Sequence, residues 1–258
     1  MLGAVCGDII GSVYEHGGLP FKQMDFPLFS PGSRFTDDSV LTLAVAHAIL
    51  IGADYGKSIR SFARKWPHAG YGGAFRVWMN SDTAGPYHSF GNGSAMRVSA
   101  VGLAFDSAEK VLAQAEASAN PTHNHPEGVK GAQAVALAVF RARTGASKPE
   151  IADEITRLFG YDLSRTADDI RPGYSFDVTC QGSVPEALCV FLDSTDWEDA
   201  VRKAVSLGGD TDTQAAIAGA VAEAFYSGVP GPIAARALTY LPAELKGIID
   251  RFYEKYAP

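Results

Sequence analysis

SVLTLAVAHAILIGA (residues 39–53) and TQAAIAGAVAEAFYSG (213–228) carry apolar residues at i, i+3, i+4 and i+7 over about four turns. Neither shows the polar/apolar alternation of a half-buried strand, so each reads as a helix. The same period runs through SAMRVSAVGLAF (94–105) and GVKGAQAVALAVFRART (128–144). Shorter helices are expected at KSIRSFARKW (57–66), SAEKVLAQAEAS (107–118), PEIADEITRLF (149–159), VPEALCVFL (184–192), DWEDAVRKAVS (196–206) and PAELKGIIDRFYEKYA (242–257). Start signals support several of them: a Ser or Thr ahead of the run, Pro149 and Pro185 at a first helical position, and acids in the first turn. Nowhere does alternation persist beyond about four residues. An all-α fold follows. No repeat period, low-complexity tract or long linker divides the chain, so residues 1–258 are expected to form one domain. The less regular stretches 15–35, 67–92 and 160–178 are rich in Gly, Pro and aromatics and suit loops that shape a cleft.

Composition narrows the function classes. The chain is 47% hydrophobic and 20% charged, which fits a globular protein with a large core. Its 22 Lys and Arg against 29 Asp and Glu leave a net charge of −7, which argues against a nucleic-acid binder working through a basic face. No apolar run approaches the ~20 residues that span a bilayer. The opening MLGAVCGDIIGSVYE lacks a basic region and carries Asp8, unlike a secretory signal. Cys6, Cys180 and Cys189 form no CxxC pair and sit among apolar or small residues, as reduced buried thiols do, and a cytoplasmic setting is expected. Nothing in the pattern argues for assembly, so a monomer is expected.

Two segments carry more acid than a helix start requires. FTDDSVLTLAVAHAI places Thr36, Asp37 and Asp38 ahead of one long helix, and GGDTDTQAAIAGA places Asp210, Asp212 and Thr213 ahead of another. Capping uses one oxygen, and the helix dipole favours acids there by only about 0.3–1 kcal/mol. Brought together, the surplus carboxylates would repel unless a cation lay among them. Oxygen-only donors select a hard ion such as Mg²⁺, Mn²⁺ or Ca²⁺, and their number suits two ions better than one. Glu15 closes the first helix in GDIIGSVYE as a third acid. Two further features stand out. Gly91-Asn92-Gly93 precedes a helix and exposes amides suited to an anion. His123 and His125, in THNHPEG, are placed either as a solvated turn or as hydrogen-bonding groups for a sugar or phosphate.

Taken in order, GAVCGDIIGSVYE, FTDDSVLTLAVA, GNGSAMRVSAVGL, THNHPEGVKGA and GGDTDTQAAIAGAVAEA resemble the five successive motifs of the ADP-ribosylglycohydrolase family, from residue 3 to about residue 228. The resemblance implies an all-α fold, a compact orthogonal multi-helix arrangement, with two Mg²⁺ (or Mn²⁺) ions at the base of a cleft for ADP-ribose. By motif position it makes Thr36, Asp37, Asp38, Asp210, Asp212 and Thr213 the metal ligands. Glu15 becomes an acid at the mouth, bridging to metal or moving a proton. Gly91, Asn92, Gly93, Ser94, Met96 and Arg97 would line the diphosphate and ribose, with His123 on the nucleotide side. The implied reaction is hydrolysis at C1 of the distal ribose, releasing mono-ADP-ribose from a modified target, with Glu15, Asp37 and Asp210 as the catalytic carboxylates. A carboxylate-lined site suits its oxocarbenium-like transition state. Nucleic acid enters only as a modified substrate.

Two other readings compete. A two-metal phosphohydrolase would release phosphate, and a non-catalytic ADP-ribose-binding protein would have lost metal ligands. Serine-linked, base-linked and O-acetyl-ADP-ribose are alternative substrates. Arginine-linked ADP-ribose is favoured, because Tyr174, Phe176 and Asp177 in PGYSFDVTCQGSVPEAL form a candidate rim where an aromatic beside a carboxylate suits a guanidinium.

Overall fold

The computed structural model describes residues 1–15 and 20–256. In chain order its helices are α1 (Leu2–Gly11), α2 (Asp37–Ile51), α3 (Tyr55–Lys65), α4 (Gly73–Asn80) and α5 (Gly93–Met96). These are followed by α6 (Ser99–Ala104), α7 (Ala108–Ala119), α8 (Pro126–Arg143), α9 (Lys148–Phe159) and α10 (Ala167–Ile170). The last five are α11 (Cys180–Leu192), α12 (Trp197–Ser206), α13 (Thr211–Phe225), α14 (Gly231–Leu238) and α15 (Ala243–Tyr256). Among the described residues there is no strand, only an isolated antiparallel bridge between Gly91 and Thr179. No described helix is long and apolar enough to cross a membrane.

Helix α13 is buried on every side from Thr211 to Glu223, because its Ala- and Gly-rich sequence makes it thin enough for neighbours to surround it. α1, α8, α11 and α12 pack on it. The α1 contact is the closest. Gly3, Gly7 and Gly11 recur every four residues and lie against the α13 main chain. A Cβ on Gly7 would overlap the Ala215 carbonyl and stand 2.8 Å from the Ala216 nitrogen, and one on Gly11 would stand 2.6 Å from the Asp212 Cα. Trp197, fully buried at the start of α12, donates its indole N–H at 3.0 Å to the Gly219 carbonyl, the group that Gly3 of α1 also faces.

The helix ends follow their sequence signals. Thr36 caps α2, and Gly52 ends it in the left-handed region at φ 66°. Ser147 and Glu150 form a reciprocal capping box on α9, and His125 accepts the Glu127 N–H at the start of α8, where Pro126 occupies the first position. Several expectations need correction. α4 forms within the irregular stretch 67–92, where Phe75, Trp78 and Met79 at helical spacing bury one face despite the preceding glycines. α10 and α14 likewise fall outside the expected helices. The run 94–105 breaks between α5 and α6, and the Met96 carbonyl there accepts the Thr42 hydroxyl at 3.3 Å. Pro185 lies inside α11, which Thr179 caps five residues before Val184. α1 ends at Gly11, so Glu15 stands beyond it rather than closing it. Residues 16–19 of the stretch 15–35, and Ala257 of the last expected helix, lie outside the described residues.

The α1–α13 contact should respond sharply to a single methyl group. Gly7→Ala is expected to lower unfolding stability by about 3 kcal/mol, the upper end for overpacking, because main chain cannot step aside. Gly247→Ala in α15, where nothing lies within 4 Å of the added Cβ, should instead raise it by roughly 0.5–1 kcal/mol. Denaturant titration of the two variants checks both signs.

Candidate functional site

Two helix starts and the last turn of α1 converge on one cluster of oxygens. The α1–α13 contact sets Asp8, which has 0% exposure, beside the first turn of α13, and α2 enters with its own acids. Asp8 accepts the Thr36 N–H at 2.9 Å, the Ser39 N–H at 3.1 Å, the Thr36 hydroxyl at 2.7 Å and the Ser39 hydroxyl. Asp38 Oδ2 lies 3.4 Å from both the Thr36 and Thr213 hydroxyls, while Asp38 Oδ1 is buried with no hydrogen-bond partner. Asp212 Oδ1 accepts the Thr213 N–H at 2.8 Å. One oxygen each from Asp8, Asp38 and Asp212 lie within 4.8 Å of one another, as do one each from Glu15, Asp210 and Asp212.

Capping does not account for these acids. Within its own segment Thr36 alone caps α2, taking the Asp38 N–H at 3.3 Å. Asp210 occupies the cap position of α13 without capping it; its Oδ2 instead accepts from Asn92 Nδ2 at 2.7 Å. Asp37 is held by its main chain, its N–H donating to the Ala69 carbonyl at 2.7 Å.

The electrostatics are those of charge lacking a counter-charge. Burial, then repulsion from Asp212, pushes the Asp8 carboxyl up to about 7, against the opposing hydrogen bonds from Ser39 and Thr36. Burial and then Asp212 also hold Asp37, Asp38 and Asp210 well above the usual carboxylate range. Among the described residues, no Lys or Arg pairs with Asp8, Asp37, Asp38, Asp210 or Asp212. An oxygen-only donor set, an orphaned buried Asp38 oxygen and uncompensated negative charge fit a hard divalent cation and disfavour a soft one.

A cleft of about 460 Å³ opens over the cluster. Its floor is Gly91-Asn92-Gly93, tied to the start of α11 by the Asn92 N–H to the Val178 carbonyl at 2.8 Å. A Cβ on Gly93 would stand 3.1 Å from His123 Nε2, so only glycine leaves this floor bare beside the ring. Arg97 is fully buried and donates from Nη2 to the Ser118 carbonyl and the Thr122 hydroxyl, both at 2.9 Å. Its Nε and Nη1 have no partner, and burial pushes its guanidinium down to about 10. The same Thr122 hydroxyl lies 2.7 Å from His123 Nδ1, which turns Nε2 of the ring toward Gly91 and Gly93. Burial, then Arg97, holds His123 well below the usual imidazole value, so it is neutral at physiological pH.

A family model described as ADP-ribosylglycohydrolase matches residues 1–258. The chain belongs to the ADP-ribosylglycohydrolase family. It is 28% identical to human (Homo sapiens) ADP-ribosylhydrolase ARH3, over 88% of this chain and 84% of that protein. It is 26% identical to the ADP-ribosylarginine hydrolase Tri1 of Pseudomonas putida, over 89% of this chain and 71% of that protein. A solved structure named ADP-ribosylglycohydrolase-related protein complex superposes with a TM-score of 0.76 at 28% identity, covering 99% of this chain and 95% of that one. The all-α fold is therefore the ADP-ribosylglycohydrolase fold.

Within this family fold, Glu15, Thr36, Asp37, Asp38, Asp210, Asp212 and Thr213 all line the cleft, as do Gly91, Asn92, Gly93, Met96, Arg97 and His123. Ser94 does not. Its hydroxyl donates to the Gly128 carbonyl at 2.7 Å beside Cys180, because α5 turns that face into the core. Of the expected rim, Phe176 lines the cleft at 56% exposure. Tyr174 instead packs against Gly209 and donates to the Gly182 carbonyl, while Asp177 accepts the Thr179 N–H at 2.7 Å. The Asp177 carboxylate lies against Gly182 and does not flank Phe176 in the cleft lining. Asp8 was missed as a site residue. The signal was an acid alone in the otherwise apolar helix LGAVCGDIIG, which only a buried partner explains.

The raised carboxyls make a pH prediction for the ADP-ribosylglycohydrolase without metal. A carboxyl whose folded value is raised above 3.8 favours the folded state most below that value, and the advantage is lost as pH rises through the folded value, about 7 for Asp8. The melting temperature in chelator should therefore fall between pH 4 and 7, and millimolar Mg²⁺ should recover the loss at pH 7. Differential scanning fluorimetry across that range checks it.

Proposed function

We propose that the chain is a divalent-metal-dependent ADP-ribosyl hydrolase that releases mono-ADP-ribose from modified targets. The observation that carries this is the convergence of Glu15, Asp37, Asp38, Asp210, Asp212, Thr36 and Thr213 at the base of a cleft floored by bare glycine backbone. The two oxygen groupings share Asp212, which favours two adjacent ions, Mg²⁺ or Mn²⁺, held by Thr36, Asp37, Asp38, Asp210, Asp212 and Thr213. When bound, the ions compensate the carboxylates and lower the pKa of water in the site.

The chain's own groups divide the remaining work. The first-turn amide of Gly93 lacks an intrahelical acceptor, and with Arg97 Nε and Nη1 and His123 in its Nε2–H tautomer it forms a donor set for a diphosphate. Phe176 and Val178 offer exposed apolar surface at the rim for a base. Around the reacting ribose the carboxylates supply negative potential for an oxocarbenium-like transition state. Glu15, Asp37 and Asp210 are the groups placed to move a proton. Asn92 holds Asp210 in place, and the Ala69 main chain holds Asp37. Arginine-linked ADP-ribose is the proposed substrate. With Asp177 turned onto its own loop, the negative charge a guanidinium would meet comes from Glu15 and the cluster. The similarity to an ADP-ribosylarginine hydrolase supports this linkage.

Asp38→Ala and Asp212→Ala are each expected to cut turnover by about 100-fold or more, as loss of a metal-site group does. Chromatography of released ADP-ribose from arginine- and serine-modified peptides, with Mg²⁺, Mn²⁺ or chelator, checks the rate, the metal and the linkage together. Full activity after exhaustive chelation would overturn metal dependence, release of phosphate would favour a phosphohydrolase, and release only from serine would replace the arginine assignment.

A further inference from the structure

We infer that Asp8 is a positioning residue that takes the Thr36 hydroxyl proton and so keeps a Thr36 lone pair free for a metal ion. This rests on the metal-dependent reading above and assigns a role to a side chain outside that ligand set.

Asp8 lies in α1 among Val5, Cys6, Ile9 and Ile10, all buried, and a carboxylate in such surroundings persists only when it is hydrogen-bonded. Both of its oxygens are engaged by the protein. Oδ1 takes the Thr36 hydroxyl at 2.7 Å, and Oδ2 takes the amides of Thr36 and Ser39 and the Ser39 hydroxyl. Asp38, in the same cluster, keeps Oδ1 bare. Proximity also groups Asp8 with Asp38 and Asp212, but three hydrogen bonds from the α2 start occupy its Oδ2 and the Thr36 hydroxyl takes its Oδ1, whereas Asp38 Oδ1 bears none.

A threonine hydroxyl has one proton and two lone pairs, so it can ligate a cation only when the proton points elsewhere. Thr36 Oγ1 has two carboxylate acceptors, Asp8 at 2.7 Å and Asp38 at 3.4 Å, and the shorter contact takes the proton. One lone pair accepts the Asp38 N–H at 3.3 Å, which leaves the other for the metal. Thr213 has no such anchor; its nearest acceptors are Asp38 Oδ2 at 3.4 Å and Met96 Sδ at 3.8 Å. The two threonines are therefore inequivalent, and only Thr36 is oriented before metal arrives.

Asp8→Asn isolates this role at nearly constant volume. The amides of Thr36 and Ser39 cannot turn away, so the single Asn oxygen must face them and its NH₂ must face Thr36 Oγ1. The hydroxyl then accepts there instead of donating, so both its lone pairs are occupied and its proton turns to the other acceptor, Asp38 Oδ2. The test is calorimetric titration of Mn²⁺ into the full chain, with thermal unfolding in chelator as the control. Asp8→Asn is expected to bind Mn²⁺ about 10–100-fold more weakly, the range for a group that orients a ligand. In chelator it should unfold no earlier than the parent, since one charge leaves a repelling cluster. Thr36→Val should show a similar loss, and Asp8→Asn combined with Thr36→Val should be no weaker than Thr36→Val alone. Parent-like Mn²⁺ affinity in Asp8→Asn, or losses that multiply in the double variant, would overturn the role of Asp8 alone. A parent chain that takes up neither Mn²⁺ nor Mg²⁺ would overturn the metal reading with it.

Discussion

Gly3, Gly7 and Gly11 rest on the main chain of α13 at separations that leave no room for a side chain, and the position of every acid in the site follows from that contact. Because the two backbones touch, Asp8 on α1 lies within reach of Asp212 on α13. Because Asp8 binds Thr36 and Ser39, the start of α2 is drawn to the same point. The Thr211 hydroxyl adds a direct tie, donating to the Gly11 carbonyl at 2.8 Å. Helices distant in sequence thus meet at their polar ends while their apolar lengths fill one core.

The same arrangement concentrates like charge where solvent cannot screen it. Burial and mutual repulsion raise the carboxyls together, with Asp212 the leading charged contributor for each. Evolved cores avoid such uncompensated clusters unless something offsets them. Here the hydroxyls of Thr36, Ser39 and Thr213 and the amide of Asn92 offset part of the charge, and one Asp38 oxygen is left over. The three cysteines are not among the residues that line the cleft. All are free and buried, and burial pushes the thiols of Cys180 and Cys189 up to about 12 and about 11, so neither supplies a thiolate at neutral pH.

On the cleft wall formed by Arg97 and His123, charge is managed by neutrality and by hydrogen bonding rather than by excess. Arg97 is anchored through one nitrogen, and the Thr122 hydroxyl that receives it also sets the His123 ring. That wall presents donors, and the carboxylate base presents acceptors. A ligand with phosphate at one end and a polarised sugar at the other matches this division.

By itself the sequence determined the helical class, most helix ends and the two acid-rich starts, because these rest on local physics. Periodicity, caps and turn residues act within a few positions of each other, as Thr36 and Gly52 do at the ends of α2. The surplus of carboxylates over capping needs was likewise legible in TDD and GDTD. What only the tertiary structure decided is which side chains share a neighbourhood. Asp8 joins the cluster through a glycine contact 200 residues away in sequence at Thr211, Ser94 turns into the core, and Asp177 binds its own loop. Burial and partner geometry fix those outcomes, and neither is encoded in any short window of the chain.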